Sequence, residues 1–233
     1  QAFIMRIGNT IFASDSVWPG DTNQDGIVDY DDLFPIGVAF GNTGPARLNP
    51  SINWQPQFCN NWSDTLPVGI NQKFVDSDGD GAITALDTTA IIQNLNRTHE
   101  RSAHENPVVP GLPYLYIHFI SDTLLPGQQV MADIMLGDSA VPATNVYAMA
   151  FKLSYNNLFI EENSFTYNLT NSWLCNLQNT ITVSKTNNQT LHIAITNTDK
   201  QNKSGHGKIG ELLFVIKDSV PLNFTKSLVS ISE

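Results

Sequence analysis

A twelve-residue pattern of oxygen-bearing side chains occurs twice in this chain, and it constrains the fold more than any other feature. The first copy runs from Asp21 to Asp32 and the second from Asp76 to Asp87. Counted along each copy, side-chain oxygens stand at positions 1, 3, 5, 9 and 12, glycine at 6 and an aliphatic residue at 8. Gly26 and Gly81 permit the sharp turn that would fold such a segment back on itself, because glycine tolerates positive φ.

This spacing is that of an EF-hand-type calcium loop. Calcium is a hard cation that takes about six to eight oxygen ligands, so the chain has to wrap around it. Asp21, Asn23, Asp25, Asp29 and Asp32 would ligate in the first loop, and Asp76, Asp78, Asp80, Thr84 and Asp87 in the second. Position 7, Ile27 or Ala82, would add its backbone carbonyl, and position 9 would act through a water. The expected cofactor is two calcium ions with a structural rather than a sensing role, since metal binding can supply folding free energy that a small helix pair lacks.

With Asp rather than Glu at position 12 and an aliphatic residue at 8, residues 18–98 resemble the dockerin family. That resemblance implies two loops, each followed by one helix. Leu86, Ala90, Ile91 and Leu95 fall at helical spacing, and Leu33, Ile36, Val38 and Phe40 do so more loosely. Pro35 is tolerable in a first turn and Gly41 is a plausible stop. The loops start 55 positions apart (76 − 21), a longer connection than the family usually has. Positions 10 and 11 are Tyr30-Asp31 and Ala85-Leu86 instead of small hydroxyl residues. The resemblance therefore implies calcium without the usual cohesin-binding specificity.

Composition narrows the partners. Net charge is −10, and the expected ligands hold eight of the 22 carboxylates, so two calcium ions would bring the charge to about −6. No Lys/Arg-rich run exists, which argues against nucleic acid. No apolar stretch reaches the length of a membrane span. The first residue is Gln and no signal peptide is visible, so we expect a processed chain. Charged residues make up only 15% of the chain, in keeping with a secreted, β-rich protein on a bacterial surface. Cys59 and Cys175 could pair in an oxidising compartment, remain as two buried thiols, or link neighbouring chains. The pairs at Ser16, Thr65, Thr123, Ser139 and Ser219, each preceded by Asp, resemble a bacterial O-glycosylation consensus, although Asp-Ser and Asp-Thr are also common in turns.

Four regions follow. Residues 1–17 read as an apolar β arm and a possible donor strand. Residues 18–98 form the calcium module, with an inserted loop at 42–75 whose Trp54 and Trp62 are expected to join Trp18 in a small core. Residues 99–113 read as a Pro-containing linker. Residues 114–233 read as a β-sandwich, from runs such as Tyr147, Met149, Phe151, Leu153 and Tyr155 that alternate strictly, Leu191, Ile193 and Ile195, and Ile209–Lys217, with turn signals between them. The stretches from Phe151 to Leu158 and from Gly207 to Ile216 resemble cohesin domains. The expected fold class is thus mainly β, an Ig- or cohesin-like sandwich joined to a small α calcium module.

No catalytic set is visible. There is no Gly-x-Ser-x-Gly elbow and no phosphate loop. His99 and His104 are five apart, where a zinc protease helix needs four. Glu161 and Glu162 are adjacent, so in a strand they would face opposite ways. His118 and His192 read as ordinary sheet residues. The expected function is a calcium-stabilised extracellular structural protein, self-assembling into a surface filament or matrix by heterologous contacts between copies. Two alternatives are a scaffold-docking or polysaccharide-binding module of a secreted enzyme complex, and a calcium-dependent adhesin domain that binds a surface protein.

Overall fold

The computed structural model describes residues 16–99, 113–121, 123–219 and 229–232. The chain divides into two compact units, residues 1–106 and 107–233. Of the expected arm only Ser16 and Val17 lie among the described residues. Of the expected linker only His99 and Pro113 do.

The first unit is built from two copies of one pattern. The first loop leads into a 3-10 turn at Tyr30–Asp32 and helix α1, Leu33–Ala39. The second leads into a 3-10 turn at Ala85–Asp87 and helix α2, Thr88–Asn94. Each start is fixed by a capping box. The side chain of Asp29 or Thr84 accepts from the following turn, and the position-12 carboxylate accepts the backbone N–H of that cap residue. Each helix ends at an extended residue, Phe40 or Leu95, followed by a left-handed one, Gly41 or Asn96. Both helices have only seven residues, too few to be stable alone.

What holds them is an exchange of partners between the copies. Val28 N donates to Arg97 O at 2.9 Å, and Asn96 N donates to Val28 O at 2.8 Å. In the other half Ile83 N donates to Asn42 O at 2.9 Å, and Gly41 N to Ile83 O at 2.8 Å. Every partner is shifted by the same 55 positions (83 − 28; 96 − 41; 97 − 42). The segment leaving each helix therefore pairs with the other copy's loop, and the two position-8 side chains, Val28 and Ile83, are fully buried at 0% exposure. This buried pairing explains why position 8 is aliphatic.

The helical register differs from the spacing argument in detail. Leu33, Ile36, Ala90 and Ile91 are buried as expected, but Leu86 is 62% exposed. It sits in the 3-10 turn before α2, whose tighter winding turns it off the buried face. The insertion is ordered around aromatic and polar anchors. Trp62 is buried and its Nε1 donates to Pro45 O at 3.1 Å, while Trp18 and Trp54 are half-buried with ring centroids 4.8 Å apart. Strand β1, Ser16–Val17, pairs antiparallel with β2, Gln57–Phe58, inside this unit.

The second unit is a β-sandwich. One sheet has the order β3-β4-β11-β7, from Leu115–Phe119, Gln129–Leu136, Gly207–Val215 and Thr166–Asn168. The other has β12-β6-β9-β8, from Val229–Ser232, Ala148–Tyr155, Thr190–Asn197 and Thr180–Asn187. All pairs are antiparallel. A ribbon of β5, Ala143–Val146, and β10, Lys203–Gly205, completes it. The expected strands at 147–155 and 191–195 form within β6 and β9, and their alternating residues Phe151, Leu153, Leu191, Ile193 and Ile195 fill the core with Ile134 of β4. Phe214 packs edge-on to Phe119 and tilted against Phe165. Gly210 follows a bulge in β11, where a Cβ would stand 2.3 Å from the Tyr167 hydroxyl, so no side chain fits.

Cys59 and Cys175 are free thiols, each buried in its own unit. Cys59 packs with Val17 and Phe74, and Cys175 belongs to the sandwich core, where burial pushes its thiol up to about 11. Glu161 and Glu162 lie in a turn after Ile160 rather than in a strand. Of the candidate glycan residues, Thr65, Thr123, Ser139 and Ser219 are exposed and Ser16 is half-buried.

Candidate metal centre

Each loop closes through its own carboxylates in nearly the same way. The position-12 carboxylate is the hub. Asp32 Oδ2 accepts from Asp29 N at 2.8 Å, and its Oδ1 accepts from Thr22 N and Asn23 N at 2.7 and 3.1 Å. Asp87 Oδ2 accepts from Thr84 N at 2.8 Å, and its Oδ1 from Ser77 N and Asp78 N at 2.5 and 3.1 Å. Position 5 accepts from position 7 in both: Asp25 from Ile27 N and Asp80 from Ala82 N, each at 2.8 Å. Position 3 accepts from position 5 in both, Asn23 from Asp25 N at 2.9 Å and Asp78 from Asp80 N at 3.1 Å. Such Asx bonds draw the side chains inward over the loop.

The glycines do what the spacing demands. Gly26 and Gly81 have φ of 92° and 91°, and their N–H groups donate to position 1, Asp21 or Asp76, at 3.2 Å in both loops. Position 4 is left-handed too, Gln24 at 59° and Gly79 at 88°. The inter-copy ladder uses Gly26 O and Val28 N and O, and it passes over the carbonyl of Ile27. Ala82 has the same place in the second loop, between Gly81 O and Ile83 N.

The electrostatics are compatible with a bound cation. Carboxyl oxygens of Asp76, Asp78 and Asp80 lie within 4.8 Å of one another. Asp21 is 3% exposed, yet its Oδ1 has no hydrogen-bond partner among the described residues. A buried, unpaired carboxylate oxygen is costly unless a charge compensates it. Burial raises the carboxyls at positions 1 and 12 in both loops, Asp76 to about 6 and Asp87 to about 7. An all-oxygen donor set of this kind fits calcium rather than zinc or copper.

Two residues beside the loops escaped the sequence reading. His99, placed there in the linker, belongs to the first unit. Its N donates to Gly26 O at 2.9 Å, its Nε2 lies 2.6 Å from Asp21 Oδ2, and its ring stacks on Trp18 at 4.8 Å and 8°. Arg47, from the insertion, is 4% exposed and donates through Nη2 to Ser77 O at 2.7 Å. Its charge stands near Asp76, Asp78 and Asp87. The signal that could have found His99 is the internal repeat: the segment after each helix returns to the other loop.

No family model matches the chain, and no curated protein matches it. Among solved structures, it is similar to the sixth cohesin of scaffoldin B from Acetivibrio cellulolyticus, solved in complex with a Cel5 dockerin mutant. That match has 22% identity, covers 52% of this chain and 82% of that one, and has a TM-score of 0.41. The solution structure of CaCohA2 from Clostridium acetobutylicum matches at 17% identity over 47% of this chain and 68% of that one, with a TM-score of 0.36. The second type II cohesin module of the ScaA scaffoldin from Acetivibrio cellulolyticus matches at 11% identity over 46% and 71%, also with a TM-score of 0.36. None of these TM-scores reaches 0.5, so the sandwich stands on its own strand order and core.

Proposed function

We propose that this chain is a non-catalytic, extracellular docking protein in which two calcium ions rigidify the first unit and the sandwich receives a protein partner. The observation that carries the calcium reading is the repeated oxygen cage, with one hydrogen-bond pattern recurring 55 positions apart (76 − 21) around buried carboxylates. Asp21, Asn23, Asp25, Ile27, Asp29 and Asp32 would hold one ion, and Asp76, Asp78, Asp80, Ala82, Thr84 and Asp87 the other. When bound, calcium supplies the positive charge that these buried oxygens lack.

The docking role is supported by the sandwich surface. An apolar recess of about 510 Å³ is lined by Leu115, Leu136, Ala143, Val146, Met149 and Phe151. Tyr114, Tyr116 and Met131 are exposed large apolar residues of the same unit. A partner of the dockerin kind suits this reading, and no helix among the described residues is long and apolar enough to cross a membrane. The filament reading rests on heterologous contacts between copies, through a docked module or an exchanged arm; of that arm, Ser16 and Val17 pair with Gln57 and Phe58 inside the first unit.

Calorimetric titration with calcium tests the first half. Two ions per chain are expected, and Asp32→Asn should leave one site weakened by about tenfold or more, because affinity follows ligand charge. No heat with the intact chain would end the calcium reading. Light scattering in calcium and in chelator separates docking from self-assembly: a monomer in both supports docking, and a calcium-dependent polymer restores the filament.

A further inference from the structure

The two loops are not equivalent at position 1. In the second loop, Asp76 takes its hydrogen bonds from its own loop, Gly79 N donating to Oδ1 at 2.9 Å and Gly81 N to Oδ2 at 3.2 Å, with the charge of Arg47 nearby. In the first loop, position 4 is Gln24, and Asp21 keeps only the Gly26 N bond to Oδ2 from within the loop. The missing restraint comes from 78 positions away. His99 Nε2 stands 2.6 Å from Asp21 Oδ2, and because a carboxylate only accepts, the ring nitrogen donates. The bond takes the oxygen already turned toward Gly26. It leaves Oδ1, buried and without a partner among the described residues.

His99 is itself fixed on three sides. Its backbone is tied to Gly26 O, one face of its ring stacks on Trp18, and Trp54 lies against it at 5.9 Å between centroids. The residue at the matching place in the other half is Gly44 (99 − 55), whose N donates to Gly81 O at 2.9 Å. Gly44 offers no side chain, and a Cβ there would stand 2.1 Å from the Trp62 ring. The second loop therefore has no such clamp, and no room for one at that place.

The geometry points to His99 as the positioning residue of the first calcium site: it holds Asp21 from behind and presents Oδ1 to the ion, while Trp18 holds the ring in place. This rests on the calcium reading above. It makes the two sites chemically distinct: one has its position-1 carboxylate hydrogen-bonded within its own loop beside Arg47, and the other depends on His99. Groups that orient a metal ligand in this way typically change affinity about 10–100-fold when removed.

Amide NMR of the full chain during calcium titration tests it, because Gly26 and Gly81 each report one loop. His99→Ala is expected to weaken the titration seen at Gly26 by about tenfold or more, with Gly81 unchanged. His99→Gln, which keeps an N–H donor, should recover a large part of that loss. If Gly26 titrates in His99→Ala as in the parent chain, or if both glycines weaken equally and His99→Gln recovers nothing, the positioning role is overturned and His99 is only part of the packing. If neither glycine responds to calcium in the parent chain, the calcium reading itself falls.

Discussion

The two units reach a defined structure by opposite means. The sandwich is held by apolar burial, with Ile134, Leu153, Ile160, Ile193, Leu212 and Phe214 fully enclosed. The first unit has two helices of seven residues and buries at its loops the carboxylates Asp21, Asp32, Asp76 and Asp87. Burying charge opposes folding, whereas burying Ile193 favours it. Under the calcium reading proposed above, the first unit draws on an external contribution that the sandwich does not need.

The sharpest way to break this contrast is to remove the ion. Scanning calorimetry in chelator is expected to lower the melting of the first unit and leave the second in place. Each ion present at about a thousand times its dissociation constant contributes about 4 kcal/mol. One transition, unmoved by chelator, would show that the first unit needs no cation. The converse perturbation is Leu153→Ala, which removes a fully buried side chain from the sandwich and is expected to cost about 2–5 kcal/mol. It should move only the sandwich transition, by the same amount with and without calcium; a calcium-dependent shift would mean that the units are coupled.

A smaller effect sharpens the comparison through pH. Burial raises Asp76 to about 6 and Asp87 to about 7 in the metal-free fold. An acid whose folded value is raised keeps its proton where the unfolded chain has lost it. In chelator the first unit should therefore gain stability as pH falls through about 7 toward 4, and lose it as pH rises through that window. With calcium the slope reverses, because protons compete with the ion for the same oxygens. Melting temperatures across this range, with and without chelator, decide it; parallel pH profiles would count against ligation by these carboxylates. The sandwich transition serves as the internal control.

Much of this architecture was legible because it is written in short-range periods. Oxygen-bearing side chains at every second position marked the loops, and strict alternation at 147–155 and 191–195 marked two central strands whose inward residues meet the core. What escaped has a common cause. Strand β8 reads Thr-Ile-Thr-Val-Ser-Lys-Thr-Asn: its apolar alternation stops at Val183 before a polar run, and among the described residues it pairs only with β9. β7, only Thr166–Asn168, is too short to carry a pattern. Leu86 fits a helical stripe, but the 3-10 turn places it outside.

The spacing of Asp, Asn and Gly alone determined that two oxygen cages would form, because those turns close through bonds between residues two to ten positions apart. The tertiary structure decided how the cages differ. His99 reaches Asp21 across 78 positions, and Gly20 N reaches Ser77 Oγ across 57. No local period encodes such distances. They arise only when the strand leaving each helix crosses to the other loop, burying Val28 and Ile83 and bringing a histidine beside one carboxylate and a glycine beside the other loop.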